Sequence, residues 1–293
     1  MSHPDKYIVG IGEVLWDCFE GHRTLGGAPF NFSFHAHQLG FNALAISAIG
    51  DDQLGREIQD LCQHRGLPYL FPVLPFETGE VRVEMDDHGV PSYTICADRA
   101  WDHIPFLPSM ESVAQHTQAV CFGSLAQRSP VSRASIYAFL DAMPADALVV
   151  FDINLRLDYY SKDLIDSSLA RANVLKLNYE ELLVLQRLYH YTAMSIEDTC
   201  RYILGAHGLR LLILTCGEDG SYVFSKDEMS FLPTPQVQVV DTVGAGDSFT
   251  AAFVVSLLQH KSLQEAHRIA VDVSGYVCTQ AGATPTLPSY LLG

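Results

Sequence analysis

At 293 residues, with 48% hydrophobic against 18% charged residues, the chain suits a folded α/β protein with a large interior and excludes a disordered one. A formal net charge of -16 repels phosphate backbones, so no nucleic-acid partner is expected. The seven cysteines form no Cys-x-x-Cys pair, and no apolar run approaches the ~18 residues of a membrane span. A cytoplasmic protein with reduced, mostly buried thiols and no membrane partner is the expectation.

Residues 1–6 are short and polar and run straight into the strand-like Tyr7-Ile8-Val9, which is not the pattern of a signal peptide. Apolar runs bounded by Gly, Asn or Asp then recur at 7–9, 43–48, 119–122, 148–151, 174–177 and 211–214. Longer stretches between them have helical spacing, as at 132–143 and 195–204. This alternation predicts a three-layer α/β fold, a parallel sheet covered by helices on both faces, over a single domain 1–293. Ligands of such sheets gather at the carboxyl ends of the strands, where Asp152-Ile153-Asn154, Asn178 and Thr215 fall.

Residues 78–95 break that rhythm. Val81, Val83 and Met85 alternate with Arg82, Glu84 and Asp86; a turn-like Asp87-His88-Gly89 follows, then a second strand through Tyr93 and Ile95. The pattern predicts a β-hairpin with one solvated face. Joined by strands from 15–25, it would form a small β-sheet lid built from segments of about 13–25 and 76–100.

The strongest chemical signal is Asp241-Thr242-Val243-Gly244-Ala245-Gly246-Asp247-Ser248-Phe249. Phe249, Ala252, Phe253, Val255 and Leu257 then mark a helix with a buried stripe. Gly244, Ala245 and Gly246 therefore form a small-residue turn entering a helix N-terminus. Unpaired N–H groups and the helix dipole attract an anion there, in a chain with only five lysines. The same field keeps Asp247 ionised and able to accept a hydroxyl proton. Gly244-Ala245-Gly246-Asp247 alone would favour a plain helix cap behind a glycine turn; the nine residues together do not.

The nine residues together resemble the C-terminal signature of the ribokinase-like (phosphofructokinase B) carbohydrate kinases. Gly26-Gly27-Ala28-Pro29-Phe30-Asn31-Phe32-Ser33, followed by Leu39-Gly40, is similar to the N-terminal signature. Gly12-Glu13-Val14-Leu15-Trp16-Asp17, Ile49-Gly50-Asp51-Asp52 with Gly55, Asn178-Tyr179-Glu180-Glu181 and Thr215-Cys216-Gly217-Glu218-Asp219-Gly220 also match, in the family's order. The resemblance implies the ribokinase-like fold with its lid, and ATP-dependent phosphorylation of a small sugar. It implies Asp247 as the base and the amides of Gly244, Ala245 and Gly246 as an anion hole. That agrees with a reaction run by positioning and electrostatic stabilisation.

By the same resemblance, Asn178 and Glu181 help hold Mg²⁺ and its waters; as plain structure they would make an N-cap pair. Asp17, Gly26, Gly27 and Asn31 match positions that bind sugar hydroxyls. Thr215, Gly217 and Gly220 match a nucleotide-contacting turn. Arg156, in Asp152-Ile153-Asn154-Leu155-Arg156, matches a residue facing phosphate or substrate, with a surface salt bridge as the alternative. Asp241, Val243, Val277, Gln280, Gly282 and Thr286 match a monovalent-cation site, for K⁺, mostly through carbonyls.

Ala100-Trp101-Asp102 after Tyr93-Thr94-Ile95, and Ala28-Pro29 where ribokinases tend to carry Lys-Gly, resemble bacterial fructokinases more than ribokinases or nucleoside kinases. Fructose is the acceptor this implies. Ribose, 2-keto-3-deoxygluconate or a nucleoside are alternative acceptors, and a non-catalytic sugar or nucleotide sensor is a further alternative. A homodimer through the lid is also implied. Gly10-Ile11-Gly12 begins like a dinucleotide turn, but Leu15 stands where its third glycine belongs. No P-loop, zinc-protease or nucleophile-elbow motif occurs.

Overall fold

The structure, a computed structural model, describes residues 6–85, 91–191 and 193–292. Its main sheet has nine strands in the order Met229–Leu232, Ser221–Ser225, Leu211–Thr215, Val174–Asn178, Leu148–Asp152, Thr117–Phe122, Tyr7–Ile11, Ala43–Ile46 and Tyr69–Leu70. From Leu211–Thr215 to Tyr69–Leu70 every neighbouring pair is parallel. The last two strands join antiparallel, which apolar runs alone did not announce.

Alternate residues of the central strands feed two separate cores, the strand period of two made visible. Val9, Val120, Phe151, Leu175 and Leu212 pack on one face, with Phe139, Ile165, Leu182 and Ile203 from the helices that follow the strands. Ile8, Ala119, Val150, Val174 and Ile213 pack on the other, with Phe32, Phe249, Phe253 and Val273. Those partners come from the helices Ala28–Gln38, Ala245–Leu258 and Leu263–Cys278. Both faces are therefore covered by helices, as the buried, unalternating strand runs require.

Sequence boundaries shift for local reasons. The helix expected at 132–143 is Pro130–Asp141, opened by a proline whose missing N–H is harmless there, with Ser129 capping it. The one expected at 195–204 is Ile196–Ala206, with Ser195 as its cap. The run 43–48 ends as a strand at Ile46, and a separate strand Ile49–Gly50 pairs with Val73–Leu74.

A small separate sheet has the order His22–Gly26, Leu15–Phe19, Gly79–Met85, Pro91–Ile95. Its hairpin partners run from Val81↔Ile95 to Met85↔Pro91. The expected turn Asp87-His88-Gly89 lies outside the described residues, as do residues 1–5. Trp16 on the inner strand packs with Phe30, Phe34 and Ile58, which ties this sheet to the body. Among the described residues no helix is long and apolar enough to cross a membrane.

Candidate active site

The helix Ala245–Leu258 begins on Gly244, which adopts the left-handed conformation at φ 77. A Cβ added there would lie 2.5–2.8 Å from the backbone and side chain of Ala283, so both conformation and space select glycine. Asp247 stands in the first turn of this helix. Asn31, on Ala28–Gln38, donates from Nδ2 to Asp247 Oδ2 at 2.8 Å. The side chain of Asn31 is buried and its Oδ1 has no protein donor. The two signature motifs, 216 residues apart, thus meet at the carboxylate. Burial pushes the Asp247 carboxyl up to about 6, and the Asp152 charge adds to this, against Asn31, Lys176 and Arg156. A carboxylate in that range is still ionised at neutral pH and is a stronger base than an ordinary aspartate.

Asp17, on Leu15–Phe19, lies over Gly26, where an added Cβ would sit 2.5 Å from its Oδ2. Burial raises Asp17 to about 6, with Arg156 opposing. Gly27 is the N-cap of the helix that carries Asn31. Glu13, which the motifs contain but to which no role was given, is buried beside that N-cap. Burial pushes it up to about 7; its own N–H and Arg156 oppose, the Asp247 charge adds, and the Ala28 N–H opposes. The Arg156 charge opposes the upward shift at Glu13, Asp17 and Asp247 alike.

The loop carrying Arg156 is unusual. Asn154 and Leu157 both have positive φ, 39 and 49, and such strain in non-glycine residues persists only when neighbours over-determine it. Here Ser124 Oγ donates to the Asn154 carbonyl at 3.2 Å, and the Leu155 N–H donates to Glu181 Oε1 at 2.9 Å. Arg156 itself is exposed and makes only a bond to the Leu155 carbonyl among the described contacts.

Glu181 Oε2 accepts the Asn178 N–H at 2.7 Å, and Asn178 Oδ1 accepts the Glu181 N–H at 2.8 Å. The capping box expected from the sequence is present at the start of Tyr179–Leu188. The cap and a metal role are compatible. Each Glu181 oxygen accepts one N–H and keeps a lone pair, which fits a Mg²⁺ that binds through its waters. Among the described residues no three His, Cys, Asp or Glu side chains form a metal-binding group. Thr215 stands beside Asn178 in the ladder, and Gly217 and Gly220 bracket the turn after it.

Asp241 Oδ1 accepts the Val243 N–H and Oδ2 the Gly282 N–H, both at 3.0 Å, which draws the two loops together. Val277 and Gln280 lie at the end of Leu263–Cys278, where the Gln280 N–H is bonded to the Val277 carbonyl. The Thr286 carbonyl accepts Tyr276 Oη at 3.2 Å. His35 Nε2 donates to the Ala283 carbonyl at 2.9 Å, and Gln38 Nε2 to that of Pro285 at 3.0 Å. The Asn31 helix thereby braces the loop against which Gly244 rests.

Lys176 was also missed. Its ammonium lies 3.1 Å from both oxygens of Asp152, with both side chains buried. Burial opposes its charge, but Asp152, then Glu181 and Asp247, hold it above the ordinary lysine range. The sequence signal was available: a lysine inside the apolar run 174–177 needs a buried partner.

A profile described as "pfkB family carbohydrate kinase" matches residues 5–289. The chain is 26% identical to an ATP-dependent 6-phosphofructokinase of Thermoanaerobacterium thermosaccharolyticum, covering 97% of this chain and 91% of that protein. It is 29% identical to a fructokinase of Klebsiella pneumoniae, over 90% of this chain and 88% of the other. Among solved structures, a fructokinase with bound ATP from Xylella fastidiosa superposes with a TM-score of 0.86 at 21% identity, over 98% and 97% of the two chains. At that identity the likeness concerns the fold.

Proposed function

The chain belongs to the pfkB family of carbohydrate kinases, phosphotransferases with an alcohol group as acceptor, and from this premise we propose that it transfers the γ-phosphoryl group of ATP to a hydroxyl of fructose. The Asn31–Asp247 hydrogen bond carries this reading, because it sets the base of the helix turn against the acceptor-side motif. Asp17, Gly26, Gly27 and Asn31 orient the sugar. Asp247 takes the proton of the attacking hydroxyl, while the amides of Gly244, Ala245 and Gly246 stabilise charge on the transferring group. Arg156 faces the phosphates. Thr215, Gly217, Gly220 and Asn178 line the nucleotide side, and Glu181 with Asn178 would hold Mg²⁺ there. When bound, Mg²⁺ neutralises charge on the phosphates. Asp241, Val243, Val277, Gln280, Gly282 and Thr286 are the residues we assign to a monovalent cation.

Electrostatics favour an uncharged acceptor. The motifs assigned to the acceptor carry Glu13, Asp17 and Asp247, the Glu13 and Asp247 charges feel each other, and only Arg156 opposes the upward shift of all three. An anionic acceptor such as 2-keto-3-deoxygluconate would meet more like charge than a neutral ketose. Fructose fits that charge, and one relative is called a fructokinase.

The test is ADP formation from Mg-ATP with fructose, fructose 6-phosphate, ribose, glucose, 2-keto-3-deoxygluconate and adenosine, in wild type and Asp247→Asn. Fructose should give the largest kcat/KM, falling roughly 100- to 10,000-fold in Asp247→Asn. Because the base works ionised, wild-type turnover should decline as pH drops through about 6. A preferred acceptor other than fructose would replace the substrate and keep the mechanism. ATP binding with no turnover on any acceptor would favour a sensor.

A further inference from the structure

The strand Val174–Asn178 is buried on both faces, yet Lys176 stands in its middle at 7% exposure. A buried ammonium is retained only where its charge is compensated. Asp152 provides this from the adjacent strand, where the two residues are direct ladder partners. Asp152 ends its strand, Lys176 stands beside it in the ladder, and both have the parity of Val150 and Val174, so they face the helix Ala245–Leu258 rather than the opposite core. A Cβ added to Gly246 would lie 2.8 Å from Lys176 Nζ and 3.6 Å from its Cε. The ammonium therefore sits directly under the small-residue turn. Glycine at 246 leaves it room. Asp152, 3.1 Å away at both oxygens, is its hydrogen-bond and ion-pair partner among the described residues, and an ammonium with three donors can serve a further acceptor.

We propose that Lys176 is a catalytic residue of this turn: its ammonium contacts the γ-phosphoryl oxygens as they gain charge, adding a full cation to the backbone amides, and Asp152 positions it. The inference rests on the phosphoryl-transfer reading. A bond forms between the sugar oxygen and the γ-phosphorus, and the bond from that phosphorus to the bridging oxygen of ADP breaks. The hydroxyl proton goes to Asp247, and Lys176 stays protonated throughout. The acidic chain offers few alternatives. Of the other four lysines, Lys162 is paired with Asp166 on the surface, Lys6 and Lys226 are exposed, and Lys261 lies between the helices Ala245–Leu258 and Leu263–Cys278, beyond the far end of the helix that Gly244 opens.

The test compares wild type with Lys176→Met and with the double variants Asp152→Asn/Lys176→Met and Asp152→Asn/Lys176→Gln. The single variant leaves a buried carboxylate uncompensated and can fail to fold, whereas the doubles remove both charges. The expected result is a folded double variant whose kcat falls roughly 100-fold, the scale of one lost oxyanion donor. KM for sugar and for Mg-ATP should stay within about threefold. Calorimetry gives a second readout, in which wild type binds ADP more tightly with aluminium fluoride, a phosphoryl mimic, and the doubles lose that gain while binding ADP alone normally. A folded double variant with wild-type kcat and an undiminished fluoride gain overturns the proposal. So does failure of every double to fold while Asp247→Asn folds, which would assign the pair to the fold alone. If wild type phosphorylates no sugar but the doubles lose the fluoride gain, the acceptor reading fails and the role of Lys176 stands.

Discussion

Glu13 holds one carboxylate oxygen, Oε2, buried without a donor. Its carboxyl is raised from the ordinary 4.5 to about 7, first by burial. Between those values the unfolded chain releases the proton and the folded protein keeps it. Stability must therefore fall as pH rises through that window, by up to ~3 kcal/mol for this residue alone. Glu13→Gln keeps the shape and removes the titration. Chemical denaturation from pH 5 to pH 8 should show the variant gaining on wild type as pH rises, and a difference independent of pH would refute this. At this scale the sequence was legible wherever a residue type has one job. The glycine turn at Gly244 and the Asn178–Glu181 cap follow from local spacing, whereas the role proposed for Asp247 rests on the resemblance of its nine-residue motif. Glu13 and Lys176 were not, because their character comes from burial and from partners on other strands. Asp152 sits 24 residues from Lys176, and only the strand register makes them neighbours.

Whole elements were legible where the apolar period was long. The central strands and their flanking helices appeared near their true places because each run is buried on both faces or along one stripe. The short strands of the small sheet were seen as alternation, but nothing local revealed what roots them. The structure shows that root. Arg128, ending the turn Leu125–Arg128, bonds Asp102 through Nε and Nη2, both at 2.8 Å. Nη2 also donates to the Cys96 carbonyl at 2.6 Å, just after the strand Pro91–Ile95. The guanidinium lies 4.0 Å from the centre of the fully buried Trp101 ring. Arg128→Met would leave Asp102 buried and unpaired, at a cost of about 3–5 kcal/mol. Denaturant unfolding should show that loss, with much of it restored in Asp102→Asn/Arg128→Met. Equal losses in both would mean that the guanidinium's packing on Trp101, rather than its charge, secures the root.

The small sheet is rooted twice, and this bears on the proposal that it keeps water from the γ-phosphate. One root is the Arg128–Asp102–Trp101 cluster. The other is Trp16, whose Nε1 donates to the Leu54 carbonyl at 3.1 Å, together with the Arg23–Glu57 ion pair onto the helix Gln53–His64. Asp17 follows Trp16 on the same strand and pairs with Thr24, so the strand that carries the proposed acceptor-side carboxylate is also the strand pinned to the body. A sheet held at both ends can cover the acceptor side without carrying the acceptor residues away, which is what a cover over a water-sensitive transfer requires. In the proposed reaction water would compete with the sugar for the same Asp247 base. ADP formation without sugar should therefore run at least ~100-fold below the rate with saturating acceptor. Trp16→Ala, which loosens the second root by removing a buried ring, should raise hydrolysis relative to sugar phosphorylation, read as ADP against sugar phosphate in one assay. A sugar-independent rate equal to the kinase rate in wild type would show that the small sheet excludes nothing. An unchanged ratio in Trp16→Ala would move the excluding contact to the hairpin Gly79–Met85 with Pro91–Ile95.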